Sequence, residues 1–150
     1  MSDSEQATPE RIVVGVDGSD NATAAARWAA REAALRGVPL TVLHVWQLLT
    51  VPLGYVTEDA LDAIAAGAQE VLDGAVALAR SEAPGVEVEG KLVQGSPPAT
   101  MLAEAKDAAM LVVGRRGHGG FAGLLLGSVS NQMVHHPPCP VVVVPGPVDA

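Results

Sequence analysis

Apolar and polar positions divide the chain into short apolar runs and longer stretches in which apolar residues recur every three or four positions. Residues 1–10 are polar and are expected to form a tail. Ile12, Val13, Val14 and Val16 then make a run that closes on Asp17, Gly18 and Ser19. This is the composition of a strand and the turn that ends it. Ser19 or Asp20 can accept from the orphan N–H groups of a helix reaching about Arg36, where Gly37 stops it. Alanines give that helix high propensity and weak periodicity, and Ala24, Ala25, Trp28 and Leu35 are expected on its inward face. Residues 39–45 form a second apolar run and predict a strand. Residues 46–57, with Pro52 and Gly54, predict a loop over the end of a sheet. From Glu58 to about Glu82, Leu61, Ile64, Ala65, Ala68, Leu72, Ala75, Val76 and Ala79 recur at helical spacing and define the best amphipathic helix, ended by Pro84 and Gly85.

Residues 86–93 alternate between apolar and charged through Lys91, the pattern of a half-exposed strand near a sheet edge. Ser96 is placed to cap a short helix that Pro97 opens and that reaches about Asp107. Residues 109–113 contain no polar member and predict an interior strand ending at Gly114. A glycine-rich loop then occupies residues 114–127, a short helix starts at Ser128 and halts before Pro137 and Pro138, and Val141–Val144 is the last strand. Strand and helix alternate throughout. That order predicts an α/β fold: an open five-stranded parallel sheet with helices on both faces, in one domain over residues 11–145, with residues 146–150 as a second tail.

Composition narrows the class. The 150 residues are 49% hydrophobic and 17% charged, enough to build a core that is almost wholly aliphatic, since Phe121, Tyr55, Trp28 and Trp46 are the only aromatics. Nine Lys and Arg against seventeen Asp and Glu leave a net charge of −8, the wrong sign for a nonspecific nucleic-acid binder. The single cysteine, Cys139, permits no internal disulfide and suggests a reducing compartment. No apolar run approaches the roughly 20 residues that cross a bilayer, so a cytoplasmic domain is expected, without membrane or nucleic-acid partners.

Ligands of open parallel sheets collect beyond the strand C-termini, where successive connections diverge to opposite faces. The ends at Asp17 and Gly114 are the candidates. Gly114, Gly117, Gly119, Gly120, Gly123 and Gly127 crowd the loop after the fourth strand, and Gly127, Ser128, Val129 and Ser130 open a helix whose free N–H groups suit phosphate oxygens. The same residues also fit a plain cap on Ser128 and a surface loop. No P-loop is present, because Lys91 and Lys106 are the only lysines and neither follows a suitable glycine. A dinucleotide fingerprint at Gly117 fails because its acid partner is missing at the expected distance. His135, His136 and Cys139 lack a fourth metal ligand, and Asp17, Ser128 and His118 make a hydrolase triad only on paper.

Gly114, Gly117, Gly127 and Ser128, in the spacing G-x2-G-x9-G-S followed by Val129 and Ser130, resemble the ATP-binding signature of the universal stress protein family. The opening IVVGVDGS, the Gly95-Ser96-Pro97 turn, the VVGRRGHGG segment and the close CPVVVV resemble that family in the same order, over nearly the whole chain. The resemblance implies strand order 3-2-1-4-5 and a homodimer through the terminal strand Val141–Val144. It implies ATP with Mg2+ as ligand: Asp17 near the ribose and a phosphate-bound metal, the Val45 backbone reading adenine, Gly114 and Gly117 in the ribose and phosphate loop, and Gly127, Ser128, Val129 and Ser130 on the phosphates. The alternative reading of Asp17 is a turn acid capping the helix that starts at Ser19 and Asp20. The expected function is an ATP-binding regulatory or stress-response protein. A slow ATPase in the same pocket and a nucleotide-free dimeric interaction module are the alternatives.

Overall fold

A computed structural model describes residues 10–47, 57–115 and 139–146. The described elements run β1 (Ile12–Val16), α1 (Asp20–Arg36), β2 (Leu40–Trp46), α2 (Glu58–Glu82), β3 (Val88–Gln94), α3 (Pro97–Glu104), β4 (Met110–Gly114) and β5 (Val141–Val144). The strands form one five-stranded sheet in the order β3-β2-β1-β4-β5, every neighbouring pair parallel, as expected. Val14 sits at its centre, in register with Val42 on one side and Val112 on the other. β1 and β4 are buried at every position, which is why they read as unbroken apolar runs. β3 lies at an edge with Glu89 and Lys91 exposed, matching its alternation.

Two cores follow from the alternation of side chains across the pleat. Ile12, Val14, Leu40, Val42 and Val112 face α1 and α2, while Val13, Leu43, Leu111 and Val113 face Met101 of α3 and Ala105 beyond its end. Helices therefore cover both faces of the sheet.

α1 begins where Ser19 Oγ accepts from the Ala22 N–H at 3.1 Å. It ends at Gly37, whose φ of 69° allows the last carbonyls to be taken by the N–H groups of Gly37 and Val38. Its inward face is almost all alanine: Ala22, Ala25, Ala26, Ala29, Ala30 and Ala33 are buried, so the helix lies close against the sheet. Leu35, expected on that face, is instead 82% exposed, because at about 100° per residue it falls on the far side from Ala33.

α2 is capped by Thr57, which accepts from the Ala60 N–H at 3.1 Å. Only Ala68, Leu72, Val76 and Ala79 are buried on it. None of its first ten residues, 58–67, is buried. Ile64, expected to face inward, is 43% exposed there. Against the sheet the fit is tight: a side chain at Gly90 of β3 would begin 2.8 Å from Val76. The cap expected from the Ser96 hydroxyl does not form; only its carbonyl engages the helix, accepting from the Thr100 N–H at 3.0 Å.

Candidate functional site

β1 and β4 are neighbours, yet the chain leaves β1 through α1 on one face and reaches β4 from α3 on the other. The C-terminal ends of these two strands are where a sheet of this topology is expected to form its ligand crevice. Asp17, Gly18 and Ser19 form one lip. Asp17 Oδ1 accepts from the Ser19 N–H at 3.0 Å and from the Ser19 hydroxyl at 2.6 Å, and Ser19 in turn caps α1. The carboxylate is thus fixed in place by the same residue that starts the helix, so the turn-acid reading of Asp17 holds structurally. Gly18, at φ 87°, turns the chain between them.

Gly114 is buried on the other lip. A Cβ there would lie 2.8 Å from the backbone oxygen of Asn21 and 2.9 Å from its carbonyl carbon, a separation that only glycine allows. Gly146, just past β5, packs on the side chain of the same asparagine. Asn21 is therefore wedged between the ends of β4 and β5, and the first turn of α1 sets how far apart the lips stand. Sequence reasoning assigned Gly114 to ligand approach and passed over Asn21, since an asparagine in a helix's first turn carries no outward sign of burial between two glycines.

Val45 is half-buried toward the α3 face, close to the end of β2. His44 beside it is buried, its Nδ1 2.8 Å from the Val16 carbonyl oxygen. Only a protonated Nδ1 can donate to that carbonyl, so this bond requires a proton on Nδ1 and ties the last residue of β1 to β2. His44 thus edges the crevice as a structural donor. The structure brings together Asp17 and Gly114, with Val45 one strand away from β1. Gly117, Gly127, Ser128, Val129 and Ser130 lie outside the described residues, as do His118, His135 and His136.

Among the described residues no three His, Cys, Asp or Glu side chains are grouped to hold a metal. Cys139 is half-buried under the α3 face, and burial pushes its thiol pKa up, against smaller lowering effects of a backbone hydrogen bond from Leu111 and the charge of Arg11. No helix among the described residues is long and apolar enough to cross a membrane.

A parallel sheet in the order 3-2-1-4-5 with its crevice between β1 and β4 defines a Rossmann-like class of binding domain. Residues 9–145 match the universal stress protein family, and the chain belongs to that family. A universal stress protein of Mycolicibacterium smegmatis is 38% identical over 147 residues, 95% of this chain but 50% of the relative. The chain thus spans about half the length of the curated relatives it matches. Among solved structures, the universal stress protein of Archaeoglobus fulgidus in complex with dAMP is 33% identical, with a TM-score of 0.64 over 90% of this chain and 97% of that one. A universal stress protein in complex with cAMP is 28% identical, with a TM-score of 0.67 over 91% and 97% of the two chains.

Proposed function

We propose that this chain is a nucleotide-handling regulatory protein that binds ATP with Mg2+ in the crevice between β1 and β4. The observation that carries the reading is the pairing of a fixed carboxylate, Asp17, with a glycine lip, Gly114, across the divergence point of the sheet. It is supported by relatives of the same fold solved with dAMP and with cAMP. The ribose lies toward Asp17, the adenine edge meets the Val45 backbone, and the phosphates extend toward Gly117, Gly127, Ser128, Val129 and Ser130. Backbone N–H groups there supply donors without a lysine, which suits a chain with no P-loop. A bound Mg2+ would neutralise phosphate charge, and Asp17 is the carboxylate that would help to hold it.

The role in this proposal is binding, with occupancy of the crevice as the signal. The sequence has no P-loop lysine of the kind that clamps phosphates in fast phosphoryl transfer. The protein acts as a homodimer through β5, an edge strand of four valines that pairing across a two-fold axis would cover.

Calorimetric titration tests the site. Affinity is expected to fall from ATP to ADP to AMP, because each phosphate removed gives up helix-start donors. Equal affinity for the three overturns the phosphate cradle, and no affinity for any of them overturns the reading of the crevice.

A further inference from the structure

We propose that the groove between α1 and α2 is a docking surface for a basic amphipathic helix of a partner protein. α2 carries two apolar stripes rather than one. Ala68, Leu72, Val76 and Ala79 are spent on the sheet. A second stripe, Ile64, Gly67, Val71, Gly74 and Leu78, follows the alternating three- and four-residue spacing of a helix-packing seam. None of its members is buried. The stripe is about 21 Å long, enough for four turns of a partner helix.

The seam opens into a pocket of about 370 Å³ between α2 and the start of α1, where Gly18 and Ala22 form the opposite wall. Gly67 and Gly74 deepen it. A Cβ at either glycine would meet nothing within 4 Å, so neither is needed for packing within this chain, although glycine inside a helix weakens it. The two positions leave room for side chains arriving from outside.

Charge selects the occupant. Going round α2 at about 100° per residue, Asp59 and Glu70 fall on the flank of the seam away from the sheet, while Asp62 and Asp73 lie further round on the back of the helix. Glu70 also lines the pocket, and Asp73 is exposed and accepts from Gln69 Nε2 at 2.8 Å. The helix has no Lys or Arg before Arg80. At the far end Arg27 and Arg31 are already held by Glu82, at 3.8 and 3.3 Å. A second copy of this chain, net −8, would bring acid against acid, whereas a helix with Lys or Arg flanking its apolar seam is complementary.

The test uses the full chain and a labelled synthetic helix of about 18 residues, with Leu on the seam spacing and Lys elsewhere, followed by fluorescence anisotropy. The same peptide with Glu for Lys is the charge control. The Lys peptide is expected to bind and the Glu peptide not. Gly67→Leu with Gly74→Leu fills the groove at unchanged charge and should weaken binding at least about tenfold. Asp59→Lys with Glu70→Lys, on the exposed flank, should do the same, while Glu87→Lys with Glu89→Lys, at the exposed β3 edge, should change affinity less than about twofold. Undiminished binding by the filled groove, or equal losses from the two charge reversals, would overturn the proposal. So would self-association of the chain that Ile64→Lys abolishes, since a second copy would then occupy the seam.

Discussion

At the scale of single residues, Asp17 and Gly114 hold structural positions that the proposed site would also use. Ser19 donates to Asp17 through both its N–H and its hydroxyl, and it also caps α1. Replacing Ser19 by Ala should cost about 1 kcal/mol of stability through the lost cap. It should also weaken nucleotide binding, because Asp17 loses the hydroxyl donor while keeping the backbone N–H; urea unfolding and calorimetry read the two effects separately. Gly114→Ala should cost about 1–3 kcal/mol even without nucleotide, because its methyl meets the Asn21 backbone rather than a pliable side chain. An unchanged urea midpoint would return Gly114 to a purely ligand-facing role. Gly127→Val should abolish ATP binding while Ser128→Ala loses on the order of 1 kcal/mol, since the second change leaves the backbone N–H in place. Wild-type ATP affinity in a folded Gly127→Val protein would defeat the close-approach idea. The Cys139 thiol adds a pH dependence. Its pKa is raised by burial, so the unfolded chain ionises first. Stability is full below the ordinary thiol value and declines as pH rises from there toward the raised folded value, and Cys139→Ser should remove that decline in urea melts.

At the scale of elements, strands were the most legible part of the chain, because unbroken runs such as Met110–Gly114 and the alternation near Lys91 follow directly from two-sided or one-sided burial. Helices were located well and oriented less well. In α1 the inward face is marked by size rather than hydrophobicity, so alanine periodicity carried little signal and Leu35 drew attention to the wrong side. In α2 the apolar positions belong to two adjacent faces, and a single inward stripe absorbed Ile64, which is exposed. Of the crevice, Asp17 and Gly114 were legible as strand ends, whereas Asn21 became visible only once α1 and the ends of β4 and β5 were brought together. Gly67→Ala and Gly74→Ala should each stabilise the chain by up to about 1 kcal/mol, since a methyl meets nothing there and glycine is a poor helix former. A fall in thermal midpoint for either would mean that the glycine backbone is already in use.

At the scale of the whole molecule, β5 and α1 set opposite expectations. Val143 is 46% exposed on the edge strand, while Val142 packs partly on the core. Val143→Lys is therefore the cleaner test of the proposed homodimer: sedimentation should shift from dimer to monomer with an unchanged circular-dichroism spectrum, and a wild-type monomer at micromolar concentration would end the proposal. The alanine face of α1 has a kinetic corollary. With six alanines sealed against the sheet, the helix cannot lift away locally without opening the core beneath it. Backbone amides in its middle turns should therefore exchange with heavy water only on global unfolding, whereas those in residues 58–67 of α2 should exchange orders of magnitude sooner through local fraying. The domain would then consist of a slow-exchanging plate of α1 and the central strands, and a fast-exchanging arm that can change its company without disturbing the plate.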